Sequence, residues 1–171
     1  YNNTEIPFTW HEVEYVSRSF DGYKQEKSLL DFTDLLELFA KNAQELCPPF
    51  QLCFLDEAQD LAPLQWDIAH AIDAKADRLY VAGDDDQAIY RCAGADVDHF
   101  INLPGGSEVL EQSYRIPQAV HTVANSIVSR IHKRFPKVYR PKKEMGQVLR
   151  IPSIERIDMS EGTWLIMAQA N

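Results

Sequence analysis

The residues with the greatest chemical reach stand at the ends of three apolar runs. Leu52 to Leu55, with Cys53 inside it, stops at Asp56-Glu57-Ala58-Gln59-Asp60. Arg78-Leu79-Tyr80-Val81-Ala82 stops at Gly83-Asp84-Asp85-Asp86-Gln87-Ala88-Ile89-Tyr90-Arg91. Val109-Leu110 leads to Glu111-Gln112-Ser113-Tyr114-Arg115. A buried strand ending in adjacent carboxylates delivers them to the rim of a parallel sheet, where open α/β folds bind ligands. One such acid, Asp56, can hold Mg²⁺ through water, since that ion dehydrates reluctantly. Its neighbour Glu57 can act as general base. Gln87 offers a neutral amide to a phosphate oxygen or a water. Arg115 offers a permanently charged fork to phosphate oxygens. The plainer alternatives are two surface acids, a turn glutamine, and a core tyrosine beside a surface arginine. Asp84, Asp85 and Asp86 lack the EF-hand loop pattern and read as a hydrogen-bonded turn.

The elements that must position these groups follow from capping and periodicity. Thr9-Trp10-His11-Glu12 has capping-box spacing and starts a helix with Trp10, Val13, Val16 and Phe20 on its apolar face. Asp21-Gly22 is expected to break it. A second helix spans about Phe32 to Leu46, with Leu35, Leu38, Phe39 and Leu46 on one side. Pro48-Pro49 ends it and forces extension. Ala62-Pro63 opens a third helix with Leu64, Ile68 and Ile72 inward. Pro117 opens a long helix to about Lys133, with Val120, Val123, Ala124, Ile127 and Ile131 inward. Its cationic end would suit the negative pole of the helix dipole. Residues 136–146 read as a loop, and Val148 to Ile151 and Trp164 to Met167 as later strands. Trp10, Trp66 and Trp164 read as core. Strands alternating with helices predict an α/β fold with a parallel sheet flanked by helices.

Composition bounds the function. The 171 residues are 45% apolar, a globular mix, and carry a formal charge of −9. That balance argues against a simple basic nucleic-acid-binding module. Yet Arg130, Lys133, Arg134, Lys137, Arg140, Lys142 and Lys143 place seven cations in fourteen residues without one acid. The strip reads equally as a contact for a phosphate backbone or as a solvated helix end and loop. Cys47, Cys53 and Cys92 fit no zinc spacing, and their odd number precludes a full disulfide framework. Cys53 reads as a core filler. A reducing, intracellular setting is the simplest inference. The five histidines have no metal-ligand spacing. No secretory leader is visible, and no apolar stretch is long enough for a bilayer, so no membrane partner is expected.

In this order and spacing, the motifs resemble those of the UvrD/Rep-type superfamily 1 DNA helicases. Asp56-Glu57-Ala58-Gln59-Asp60 resembles their Walker B motif, Gly83 to Ala95 their third motif, and Gln112-Ser113-Tyr114-Arg115 their fourth. Leu30-Asp31-Phe32-Thr33-Asp34-Leu35-Leu36 is similar to the segment that precedes Walker B there, and Trp164 to Asn171 to the strand after the fourth motif. The likeness covers roughly residues 28–130 well.

The resemblance implies a RecA-like sheet of P-loop NTPase type. Residues 1–110 would be the later half of the first such domain and 111–171 the start of the second. It implies Mg²⁺ and ATP as cofactors, and single-stranded DNA or a single/double-strand junction as partner. Asp56 would hold Mg²⁺, Glu57 would be the base, and Gln87 would sense the γ-phosphate. Tyr114 would stack on adenine and Arg115 would reach the γ-phosphate. Tyr90 and Arg91 would lie along the DNA path. Three departures stand out. Cys92 and Ala93 replace an aromatic residue and an arginine, and Gln169 stands where the family more often has arginine. No Gly-x-x-x-x-Gly-Lys-Ser/Thr phosphate loop occurs, so the chain is expected to be an internal fragment, inactive alone. A non-catalytic UvrD-like module binding DNA or a partner, and the helicase part of a helicase–nuclease, are the alternative readings.

Overall fold

The computed structural model describes residues 8–165. The chain divides into two compact units, Tyr1–Leu103 and Pro104–Asn171. In the first unit, helix α1 (Trp10–Lys27) opens on the expected capping box, with Glu12 accepting from the Thr9 N–H at 2.7 Å. These Thr9 bonds, from the backbone first and the hydroxyl second, hold the Glu12 carboxyl below its ordinary value. Asp21-Gly22 does not break this helix. An Asp21–Lys24 pair at 3.3 Å spans the glycine, and the helix stops at Ser28, in left-handed conformation with φ 53°. No residue of α1 is buried, and Trp10 is 80% exposed, so its apolar stripe is not the packed face expected.

Helix α2 (Phe32–Leu46) starts on an Asp31/Asp34 capping box. Its buried residue is Ala43, while Leu35, Leu38 and Leu46 stay exposed. It packs on α3 (Pro63–Asp73). Strands β1 (Cys53–Leu55) and β2 (Leu79–Val81) pair in parallel, Cys53 with Leu79, Phe54 with Tyr80 and Leu55 with Val81. The mixture of helices with this small parallel sheet is the α/β arrangement expected.

Alternation splits the strands between two environments. Leu55 and Val81 point to the cluster of Ala58, Trp66 and Ala69, joined by Leu61, Phe100 and Leu103. Phe54 and Tyr80 stack on the opposite face at 5.4 Å, and Phe54 is 75% exposed, so β1 is buried on one face only. Cys53 is half-buried on the covered face. The deepest α3 side chains are Trp66 and Ala69, while Leu64, Ile68 and Ile72 are half-buried. Trp66, at 2% exposure, is the one tryptophan that fulfils the core reading; Trp164 is half-exposed.

The second unit contains helix α5 (Gln118–Val128). It ends earlier than periodicity suggested, because the chain tightens into three-residue turns, Arg130 N–H to Ile127 and Ile131 N–H to Val128. Its last turn holds no cation, so the expected dipole pairing is absent, and Val120, Val123 and Ile127 are exposed. Val109-Leu110 is not a strand, and neither is Val148 to Ile151. Trp164 and Leu165 are outside any strand, and Ile166 to Asn171, with Gln169, lie outside the described residues.

Candidate active site

Beyond β1 the backbone turns sharply. Asp56 Oδ1 accepts the Glu57 N–H at 2.9 Å. Glu57 itself adopts φ 53° and ψ 37°, the left-handed region that a residue with a Cβ enters at a cost. Strain of this kind persists where surroundings over-determine it, often at functional positions. A tight turn, Ala58–Asp60, follows at once and buries Ala58 and Gln59. Asp56 and Glu57 remain exposed at the sheet rim.

The loop after β2 runs alongside. The Ala82 N–H donates to Leu55 O at 2.7 Å and the Ala58 N–H to Ala82 O at 3.0 Å, extending the contact past the strands. Asp84 caps the turn Asp85–Gln87 by accepting from the Asp86 N–H. Gln87 Nε2 donates to Asp84 Oδ2 at 2.6 Å. The aspartates thus form the hydrogen-bonded turn that the sequence suggested.

The buried amide of Gln59 connects the two segments. Its Nε2 donates to Glu57 Oε2 at 2.8 Å and to Asp60 Oδ2 at 3.3 Å, and its Oε1 accepts the Asp84 N–H at 3.0 Å. Asp56, Glu57 and Gln87 are therefore gathered into one region of the first unit. Tyr90 and Arg91 follow on the turn Tyr90–Ala93, and both are exposed. Arg91 Nη2 pairs with Asp98 Oδ1 of α4 (Val97–Ile101) at 3.1 Å. Helix α4 contacts both turns, Ala58–Asp60 and Asp85–Gln87.

Tyr114 and Arg115 belong to the second unit. Ser113 is buried there, and its Oγ accepts the Arg115 and Ile116 N–H groups at 3.3 and 3.1 Å. The turn leaves Tyr114 85% exposed. Gln112 bridges in parallel to Arg140, with the Ser113 N–H donating to Arg140 O at 2.8 Å and the Arg140 N–H to Glu111 O at 2.7 Å. The cationic strip is thus laid along the Tyr-Arg segment rather than extending α5.

The sequence that builds this site matches a known family. The UvrD/REP helicase N-terminal domain family covers residues 3–105. The chain belongs to the UvrD/Rep helicase family. Among its relatives is the ATP-dependent DNA helicase PcrA of Staphylococcus aureus (strain NCTC 8325 / PS 47), 30% identical over 145 residues, which are 75% of this chain and 20% of that protein. PcrA of Leuconostoc citreum is 30% identical over 139 residues, 72% of this chain and 19% of that protein. A probable DNA helicase II homolog of Mycoplasma pneumoniae is 32% identical over 169 residues, 86% of this chain and 23% of that protein. The chain spans about a fifth of the length of these relatives.

Membership in the UvrD/Rep family implies Mg²⁺ and ATP, and the donor set fits the metal half of that requirement. Among the described residues no three or more His, Cys, Asp or Glu side chains converge as a cage. Asp56 and Glu57 offer exposed carboxylate oxygens, the kind of donor that Mg²⁺ takes. No helix among the described residues is long and apolar enough to cross a membrane.

Two features of this UvrD/Rep segment escaped the sequence reading. Gln59 was legible only as part of a motif, because its partners Glu57 and Asp84 are set by tertiary contact. His70 and His99 have no metal-ligand spacing in the sequence, yet their Nε2 atoms lie 2.9 Å apart, with His99 stacked on Trp66 at 4.5 Å. They stand 29 residues apart in sequence, a separation that no local spacing rule reads.

Proposed function

We propose that the chain is the middle of a DNA helicase motor that couples Mg²⁺-ATP hydrolysis to movement on single-stranded DNA. In this reading residues 1–110 are the later half of the first RecA-like domain and 111–171 the start of the second. The observation that carries it is the strained Glu57, joined through Gln59 and Asp84 to Gln87. A surface acid pair needs neither the left-handed backbone nor a buried partner. Family membership and the ATP-dependent DNA helicases among the relatives support the same reading.

The role of each group follows from its chemistry. Bound Mg²⁺ neutralises phosphate charge. Asp56 would hold it through water, and Glu57 would accept the proton of the attacking water. Gln87 would report on the γ-phosphate. Tyr114 would stack on the base, and Arg115 would reach the phosphate. Tyr90 and Arg91 would face the DNA. The phosphate cradle would come from a P-loop outside these 171 residues, since the sequence contains none.

The test is Glu57→Gln in the longer protein that carries this chain. The amide keeps the shape but cannot accept the proton. DNA-stimulated turnover should fall about 10²–10⁴-fold with nucleotide affinity retained. The chain alone should release phosphate only at background. Turnover within about twofold of wild type in the variant would overturn the role of Glu57 as base, whereas the absence of DNA-stimulated turnover in the unsubstituted protein would favour a non-catalytic binding module, the alternative that Cys92 and Ala93 in the third motif support.

A further inference from the structure

Gln59 is 1% exposed, a depth at which every polar atom of an amide needs a partner. Its surroundings fix which way the amide points. Two carboxylates, Glu57 and Asp60, can only accept and therefore face Nε2. The Asp84 N–H can only donate and therefore faces Oε1. Neither glutamate nor a hydrocarbon of the same length satisfies all three partners at once. A carboxylate would face two others, and a leucine would strand the Asp84 N–H.

The space for this side chain is made by Gly83. A Cβ there would lie 2.6 Å from Gln59 Oε1, 2.9 Å from Phe100 Cζ and 3.2 Å from the Ala58 backbone nitrogen. The absence of a side chain at Gly83 lets the amide reach Asp84. From Asp84 the contact continues, since its carboxylate accepts from Gln87 Nε2. Gln87, Asp84, Gln59 and Glu57 thus form one unbroken series of hydrogen bonds.

We infer that Gln59 is a positioning residue, which holds the Glu57 carboxylate in register with the Gln87 loop and so links base placement to the state of that loop. This rests on the reading of Glu57 as the base. Gln59 acts on the chemistry through its hydrogen bonds to Glu57 Oε2 and to the Asp84 N–H. Small errors in the placement of a base are costly to turnover and nearly silent in substrate binding.

The test compares Gln59→Leu and Gly83→Ala with wild type in the longer protein carrying this chain. Both variants should lower kcat, by up to about 10²-fold for a misplaced base, with KM for ATP little changed. Stimulation by single-stranded DNA should shrink with it, because the loop no longer reports to Glu57. A residue that merely fills space would lower thermal stability and leave kcat per folded molecule and DNA stimulation intact, which would overturn the inference. A second measurement needs no variant. In the 171-residue chain itself, the Asp84 amide and the Gln59 side-chain amide protons should exchange with solvent as slowly as the amides of α3. Fast exchange at both would overturn the inference even if the variants failed to fold. The two readings separate cleanly: if Glu57→Gln abolishes turnover while Gln59→Leu keeps kcat and DNA stimulation, the positioning role alone is lost.

Discussion

His99 lies flat against Trp66, with ring centroids 4.5 Å apart and planes 21° from parallel. The contact joins α3 to α4, and α4 in turn rests on the turns that carry Gln59 and Gln87. The most buried aromatic of the first unit thus supports the acid pair from beneath. Trp66→Ala should cost about 3–5 kcal/mol of stability, the range for emptying a large aromatic site. His99→Ala should cost about 0.5–1.5 kcal/mol for the lost aromatic pair. Chemical denaturation of the chain, followed by circular dichroism, measures both. A Trp66→Ala variant as stable as wild type would mean that this cluster is not the core of the unit.

A second contact has a pH signature. Lys24 Nζ sits 2.9 Å from both Asp31 and Asp34, at the junction of α1 and α2. Hydrogen bonds to Asp34 first and Asp31 second hold the Lys24 ammonium well above its ordinary value. The Asp34 N–H first, and Lys24 second, hold the Asp31 carboxyl below its own. A lowered carboxyl stabilises above its unfolded pKa of about 3.9, and that contribution is lost as pH falls through the folded value. A raised ammonium stabilises fully below its unfolded pKa of about 10.4, and that contribution is lost only as pH rises through the folded value. The junction should therefore hold across neutral pH and loosen on the acid side from about pH 4 downward. Amide exchange at the start of α2 checks this, with Lys24→Met as control. An identical acid response in the variant would remove Lys24 from the explanation.

The legible parts of the sequence were those whose cause is local. The capping box at Thr9 and the proline at the start of α3 fixed two helix starts because cap and backbone lie within one turn, and periodicity placed α2 from Phe32 to Leu46. Runs ending in Asp56-Glu57 and Gly83-Asp84 located both strand ends, since a strand and its rim are contiguous in sequence. What failed was burial. Phe54, Trp10, Val120 and Ile127 have the periodicity of packed faces, yet they remain exposed. Periodicity states which side chains share a face, and only a partner element decides whether that face is covered. The end of α1 failed for a different reason. Asp21-Gly22 has turn chemistry, but Lys24 bridges across it to Asp21, and the helix ran on to Lys27. Gln59 and the His70–His99 pair depend on residues 25 and 29 positions away, so no window of sequence could pair them.

The altered third motif yields the last prediction. Cys92 stands where the family carries a stacking aromatic, and it is exposed, on the turn that also bears Tyr90. Exposure removes the objection that a large ring would overpack a core, which typically costs about 1–3 kcal/mol. Cys92→Trp should therefore leave stability near that of wild type. If this turn lies along the DNA path, as proposed for Tyr90 and Arg91, the added ring offers one more platform for a base. Single-strand affinity of the longer protein should then rise by up to about 1–3 kcal/mol, the usual worth of one stacked base. The gain should be independent of base sequence, because every base has a π-face. The slope of affinity against salt should stay as it was, because no phosphate contact is added. Fluorescence titration of labelled oligonucleotides at several salt concentrations separates these quantities. A stable variant with unchanged affinity would place the turn away from the DNA and take Tyr90 and Arg91 with it.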